Sequence, residues 1–140
     1  MNYEEKQLLI TDLCGRAPYG VRVKIRSADI RTVRAVDIVE GIVHFVEPDT
    51  ISPFGLHIED PLSFRQKVKP YLRPMSSMTD EERDEFRTVG GVMSHSPQHD
   101  TWAISAFAPE AYDWLNAHQF DYRGLIEKHL AIVAPENMYK

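Results

Sequence analysis

The chain has 140 residues, 43% of them hydrophobic, enough for one domain able to bury about two thirds of its unfolded surface. A net charge of -5 disfavours a general nucleic-acid coat, and the single cysteine, Cys14, excludes a disulfide framework and a cysteine-cluster metal site. The charge is uneven: residues 16–73 carry ten Lys/Arg against seven Asp/Glu, and the remainder six against fourteen, so a basic middle is flanked by acidic ends.

The opening Met1-Asn-Tyr-Glu-Glu-Lys lacks the basic start and apolar run of a secretory signal. The longest apolar stretch, Val36 to Val46, is broken by Asp37, Glu40, Gly41 and His44, so no membrane span is expected. With one cysteine and no signal, the expectation is a cytoplasmic, soluble protein.

Leu9, Ile10, Leu13 and Cys14 fall on one helical face and predict a first helix from Tyr3, ended by Gly15, with Cys14 as a small core residue rather than a nucleophile. Pro18-Tyr-Gly20 turns the chain into Val21-Arg-Val-Lys-Ile-Arg26, whose apolar/basic alternation predicts a strand with one buried and one charged face. Ile30–Val39 and Ile42–Val46 predict two more, joined at Glu40-Gly41 in an antiparallel meander. Five prolines between Pro48 and Pro74 confine further strands to short pieces, Phe54–Ile58 and Gln66–Leu72.

Thr79-Asp-Glu-Glu82 has the spacing of a capping box and predicts a helix from Asp80 to about Val89, stopped by Gly90-Gly91. Ser94 to Asp100 reads as a polar loop, and Trp102 to Phe107 as a short strand. Pro109 opens a helix to about His118. Asp121 then caps a second short helix carrying Leu125 and Ile126, with order fading at Pro135. The segment Trp114–Ala131 thus predicts a clasp whose Trp114, Phe120, Leu125 and Ile126 pack back on the sheet. The sum is one α+β domain over residues 1–140: a small, mostly antiparallel sheet of about four or five strands with an N-terminal helix, a central capped helix and a C-terminal pair of short helices. The β-rich part spans about 19–72 and the helical closing part about 79–134.

No G-x-S-x-G, G-x-G-x-x-G or P-loop is present, and no catalytic residue or cofactor is predicted. His95, His99 and Asp100 have ligand types that suit a divalent ion, but Pro97 denies them a helix, so a solvated polar loop is the favoured reading and no metal site is predicted. Arg22, Lys24 and Arg26 share one face of a strand, as do Lys67 and Lys69. If the two strands are neighbours, five cations form a patch able to meet phosphates, unless acidic neighbours such as Asp29 and Glu59 neutralise it.

Two segments, Tyr71-Leu-Arg-Pro-Met-Ser-Ser-Met-Thr-Asp-Glu-Glu82 and Trp114-Leu-Asn-Ala-His-Gln-Phe-Asp-Tyr-Arg-Gly-Leu-Ile-Glu-Lys-His-Leu-Ala131, together resemble short uncharacterised proteins of Bacteroidetes prophage-like and mobile regions. The resemblance implies an accessory context without an assigned activity, and a glycine in relatives where this chain has His129. The expected function is a non-enzymatic binding or accessory protein acting through a protein partner or as a homo-oligomer. A nucleic-acid-binding protein using the basic sheet face and a small metal-dependent hydrolase using the His/Asp loop are the alternatives.

Overall fold

The computed structural model describes residues 1–26, 29–47, 53–96, 101–106 and 108–139, of which 95, 96 and 101–106 are described by backbone alone. Helix α1 (Tyr3–Arg16) starts on a capping box the sequence reading missed: the Asn2 side chain accepts the Glu5 amide at 2.7 Å, and Glu5 accepts the Asn2 amide at 3.4 Å. Leu9, Ile10 and Leu13 are buried as expected. Gly15 does not end the helix. A Cβ there would lie 3.3 Å from Asn116 Nδ2, so the glycine permits close packing and the helix continues to Arg16. Cys14 is exposed, not a core residue, because the inward turn positions beside Leu9 and Leu13 are taken by Asp12 and Arg16.

Strands β1 (Arg22–Lys24), β2 (Ile30–Asp37), β3 (Ile42–Phe45), β4 (Leu56–His57) and β5 (Lys69–Leu72) follow. Val21, Val23 and Ile25 are buried and alternate with the half-buried Arg22, Lys24 and Arg26, as the sequence pattern requires. β1, β2 and β3 form the expected antiparallel meander, with a register shift between Val33 and Ala35 that bends β2 at Arg34. Then come α2 (Asp80–Thr88), the antiparallel ribbon of β6 (Gly91–Ser96) and β7 (Thr101–Ala106), α3 (Pro109–Ala117) and β8 (Ile132–Val133). The fold class is α+β. Its main sheet has six strands in the order β4-β3-β2-β1-β5-β8, antiparallel except for β5 with β8.

That sheet closes on itself. Glu59 bridges Gln66, the Lys67 amide donates to the Ile58 carbonyl at 2.7 Å, and the Asp60 amide to the Arg65 carbonyl at 2.8 Å, tying the end of β4 to the run that becomes β5. Since β5 also pairs with β1, backbone hydrogen bonds circle back to their start, leaving few open edges. Val21, Val23, Val33, Val43, Ile58, Val68 and Leu72, none more than 1% exposed, belong to the core of this ring together with Leu9 and Leu13 of α1.

A second apolar cluster lies among α2, α3 and the Met75–Ser77 turn: Met75, Met78, Phe86, Ala111, Leu115 and Phe120, with Trp114 packed against it. The Thr79–Glu82 capping box forms as predicted, with reciprocal bonds of 3.1 and 3.0 Å. Glu82 also takes two 2.7 Å bonds from Arg73, and this guanidinium holds its carboxyl down at about 2. Ser94 to Ser96 are not loop but the end of β6, where ladder pairing with β7 organises a stretch that lacks any apolar signal.

The C-terminal helical pair is a helix followed by turns. Asp121 accepts the amides of Leu125 and Ile126, both at 2.9 Å, so its carboxylate supplies the capping bonds without a helix to cap. Left-handed residues interrupt the run at Gln119 (φ 61) and His129 (φ 60). The clasp therefore divides: Leu125 joins the sheet core with Ile126 against it, while Phe120 and Trp114 belong to the second cluster. Order does not fade at Pro135. The Tyr139 hydroxyl accepts the Arg22 amide at 2.9 Å and donates to the Tyr71 carbonyl at 2.6 Å, spanning β1 and β5 where their direct register ends.

Candidate functional site

The two strands that carry the expected cations are neighbours, and Lys24 and Lys69 are direct cross-strand partners. Antiparallel partners hold their Cβ atoms about 4.5–5.5 Å apart, and like charges so placed repel. Of the five cations, Arg26 pairs with Asp29 at 2.9 Å and Lys67 with Asp60 at 3.6 Å. Arg22, Lys24 and Lys69 form no ion pair among the described residues.

A different surface emerges around β4. Glu59 to Gln66 form a short hairpin whose tip, Asp60-Pro-Leu-Ser-Phe64, is held from within: Asp60 Oδ1 accepts the amides of Leu62 at 2.8 Å and Ser63 at 3.4 Å, and the Phe64 amide donates to the Asp60 carbonyl at 2.9 Å. The Leu62 amide is the main reason the Asp60 carboxyl lies below its ordinary range. On this ordered tip Leu62 is 92% exposed and Phe64 64% exposed. Phe64 has φ 56, a left-handed conformation that costs a bulky residue about 1–3 kcal/mol.

Before β4, Phe54 is also exposed. It is followed by Gly55 at φ 93, where a Cβ would stand 2.6 Å from Ile42 Cγ2 and 2.7 Å from the Val43 carbonyl oxygen. Only glycine lets the chain sit this close to β3. The sequence pattern marked neither Leu62 nor Phe64, and placed Phe54 only at the start of a strand that in the structure begins at Leu56. Asp60-Pro61 was an available turn signal, but exposure of the apolar side chains after it follows from the hairpin and not from local pattern.

The most buried ionic groups are structural. Arg16 and Asp12 are fully buried and paired at 2.8 Å, Arg123 reaches the other Asp12 oxygen at 2.9 Å, and Arg16 Nη2 donates to the Phe120 carbonyl at 2.6 Å. Burial raises the pKa of Asp121, against the pull of its two amide donors. Arg73 stacks on Phe120 with its guanidinium carbon 4.1 Å from the ring centre. These contacts join α1 and the end of β5 to the 119–126 segment.

Of the residues suggested for a metal, His95 lies in β6 with its backbone opposite Trp102, while His99 and Asp100 lie outside the described residues. Among the described residues no group of three or more His, Cys, Asp or Glu is placed to hold a metal ion, and no helix is long and apolar enough to cross a membrane. No protein-family model, curated protein or solved structure matches the chain.

Proposed function

We propose that the chain is a non-enzymatic accessory protein that binds a protein partner through the 59–66 hairpin, with Leu62 and Phe64 entering an apolar cleft on that partner. The observation that carries this reading is the combination at Phe64: a bulky side chain held in a left-handed conformation, on a tip organised by Asp60, and still presented to solvent. Strain of this kind persists when the surrounding structure enforces it, and here it is not repaid by burial within the chain. A rigid tip also loses little conformational freedom on docking.

The use of the ionisable groups supports a binding role over catalysis. Asp12, Arg16, Glu82 and Arg73 are committed to contacts that hold elements together. In this reading the protein works in the cytoplasm, and its partner is a phage or mobile-element product, a choice supported by the resemblance of its Tyr71–Glu82 and Trp114–Ala131 segments to mobile-region proteins.

The double substitution Leu62→Ser/Phe64→Ser tests the reading, because it removes the apolar tip and leaves the Asp60 turn intact. Immobilised wild-type and variant proteins are compared for retention from lysate of the native host, beside their melting temperatures. Loss of a retained protein with the melting temperature kept supports the docking role. Identical retained sets from the two proteins would overturn it.

A further inference from the structure

We infer that the face of β1 and β5 bearing Arg22, Lys24 and Lys69 is a second binding surface, independent of the hairpin, that holds a single strand of nucleic acid by its phosphates. Lys24 and Lys69 sit opposite each other in the ladder, both half-buried and both without a carboxylate among the described residues. Such a pair is destabilising by itself and is relieved by an anion bridging the two ammonium groups.

Among the described residues Asp29, Asp60 and Glu47 have partners of their own, while Glu59 keeps one carboxylate oxygen buried and without a partner. Asp29 pairs with Arg26 and lies 3.8 Å from Arg31, Asp60 pairs with Lys67, and Glu47 accepts the Thr32 amide at 2.7 Å and its hydroxyl at 2.8 Å. Thr32 is the β2 partner of Arg22, so the charged Glu47 stands at the Arg22 end of the face and the Lys24–Lys69 pair is the part without an ion pair among the described residues.

The arrangement favours one strand over a duplex or a lipid surface. Arg22 and Lys24 are two residues apart on a strand, about 6.6 Å along its axis, and Lys69 stands beside them, giving a row two strands wide. An anionic bilayer would meet a chain of net charge -5 on a face too narrow to offset it. Tyr71 occupies the next position on the same face of β5 as Lys69, where an aromatic ring suits base stacking.

Fluorescence anisotropy of a labelled oligothymidylate, titrated with protein at about 50 mM salt and then at rising salt, tests the inference. Three phosphate contacts predict a slope of log affinity against log salt near about -2. Lys24→Glu/Lys69→Glu is expected to weaken binding by about tenfold or more. Lys24→Ala provides a variant that does not depend on tolerating reversed charge: it should raise the melting temperature, by removing the repulsion, while lowering affinity. The Leu62→Ser/Phe64→Ser protein should bind the oligonucleotide as the wild type does, so failure of the hairpin reading leaves this one standing. No binding at low salt, binding unchanged by the lysine substitutions, or tighter binding to duplex DNA or phosphatidylserine vesicles would each overturn it.

Discussion

The two apolar clusters are built by different means. The sheet core is a ring of small aliphatic residues supplied by alternating strands, closed by backbone hydrogen bonds and anchored by α1. The second cluster is aromatic and methionine-rich: Phe86, Phe120 and Trp114 pack with centroid separations of 5.4 and 5.8 Å. Between them runs a polar seam, Asp12, Arg16, Arg123 and the Phe120 carbonyl. Apolar burial thus stabilises each part, while charged hydrogen bonds set how the parts are joined.

Substitution in the seam should break this division most severely. Asp12→Ala leaves Arg16 fully buried without its carboxylate and should cost about 3–5 kcal/mol in urea unfolding. Asp12→Leu/Arg16→Met should recover most of that loss. A cost under about 1 kcal/mol for the single variant would show that the seam contributes little. Next comes the aromatic cluster. Trp114 stacks on His118 at 4.0 Å but is only partly buried, so Trp114→Ala should cost about 2 kcal/mol, below the 3–5 typical of a fully buried ring.

Tyr139 probes the ring from outside its core. Tyr139→Phe strands the Arg22 amide and the Tyr71 carbonyl and should cost about 1–3 kcal/mol. Burial pushes the Tyr139 hydroxyl from 10.0 up to about 12. The folded protein thus holds that proton more tightly than the unfolded chain. Its contribution is complete below pH 10 and is lost as pH rises toward about 12. Denaturation curves across that window should decline less steeply for the Phe variant than for the wild type, and equal slopes would remove Tyr139 from the account. The smallest effect is expected at His129, whose φ of 60 is the left-handed geometry that favours glycine. His129→Gly should add about 0.5 kcal/mol to stability, and a loss would mean that the imidazole repays its strain.

The strands of the meander and the capped helix were legible because their signals are local: alternation at Val21–Arg26, and a threonine three residues before Glu82. The junctions were not. Asp121 has the residue type and placement of a helix cap, and only the distribution of Gln119 and His129 into left-handed geometry turns its donors into a turn instead. Ring closure was equally hidden: Gln66 opens a run that reads as a strand, but nothing in the local pattern marks Glu59, just past the Phe54–Ile58 run, as its partner. For the candidate surfaces, the grouping of Lys24 with Lys69 followed from strand adjacency. The hairpin tip was invisible, since an apolar residue after Asp-Pro reads the same in sequence whether it will be covered or left bare.

The seam and the Tyr139 bridge also bear on how the molecule folds. Arg16 meets the Phe120 carbonyl across 104 positions of chain, Arg123 meets Asp12 across 111, and Tyr139 meets Arg22 across 117. Loops of that length are entropically expensive to close and reward the chain only after both clusters exist. The polar contacts between the ends are therefore expected to form late, on the native side of the folding barrier. Substitutions at Arg123 or Tyr139 should chiefly hasten unfolding and leave the refolding rate nearly untouched in stopped-flow measurements, so that these bonds set how long the folded protein lasts more than how quickly it is made.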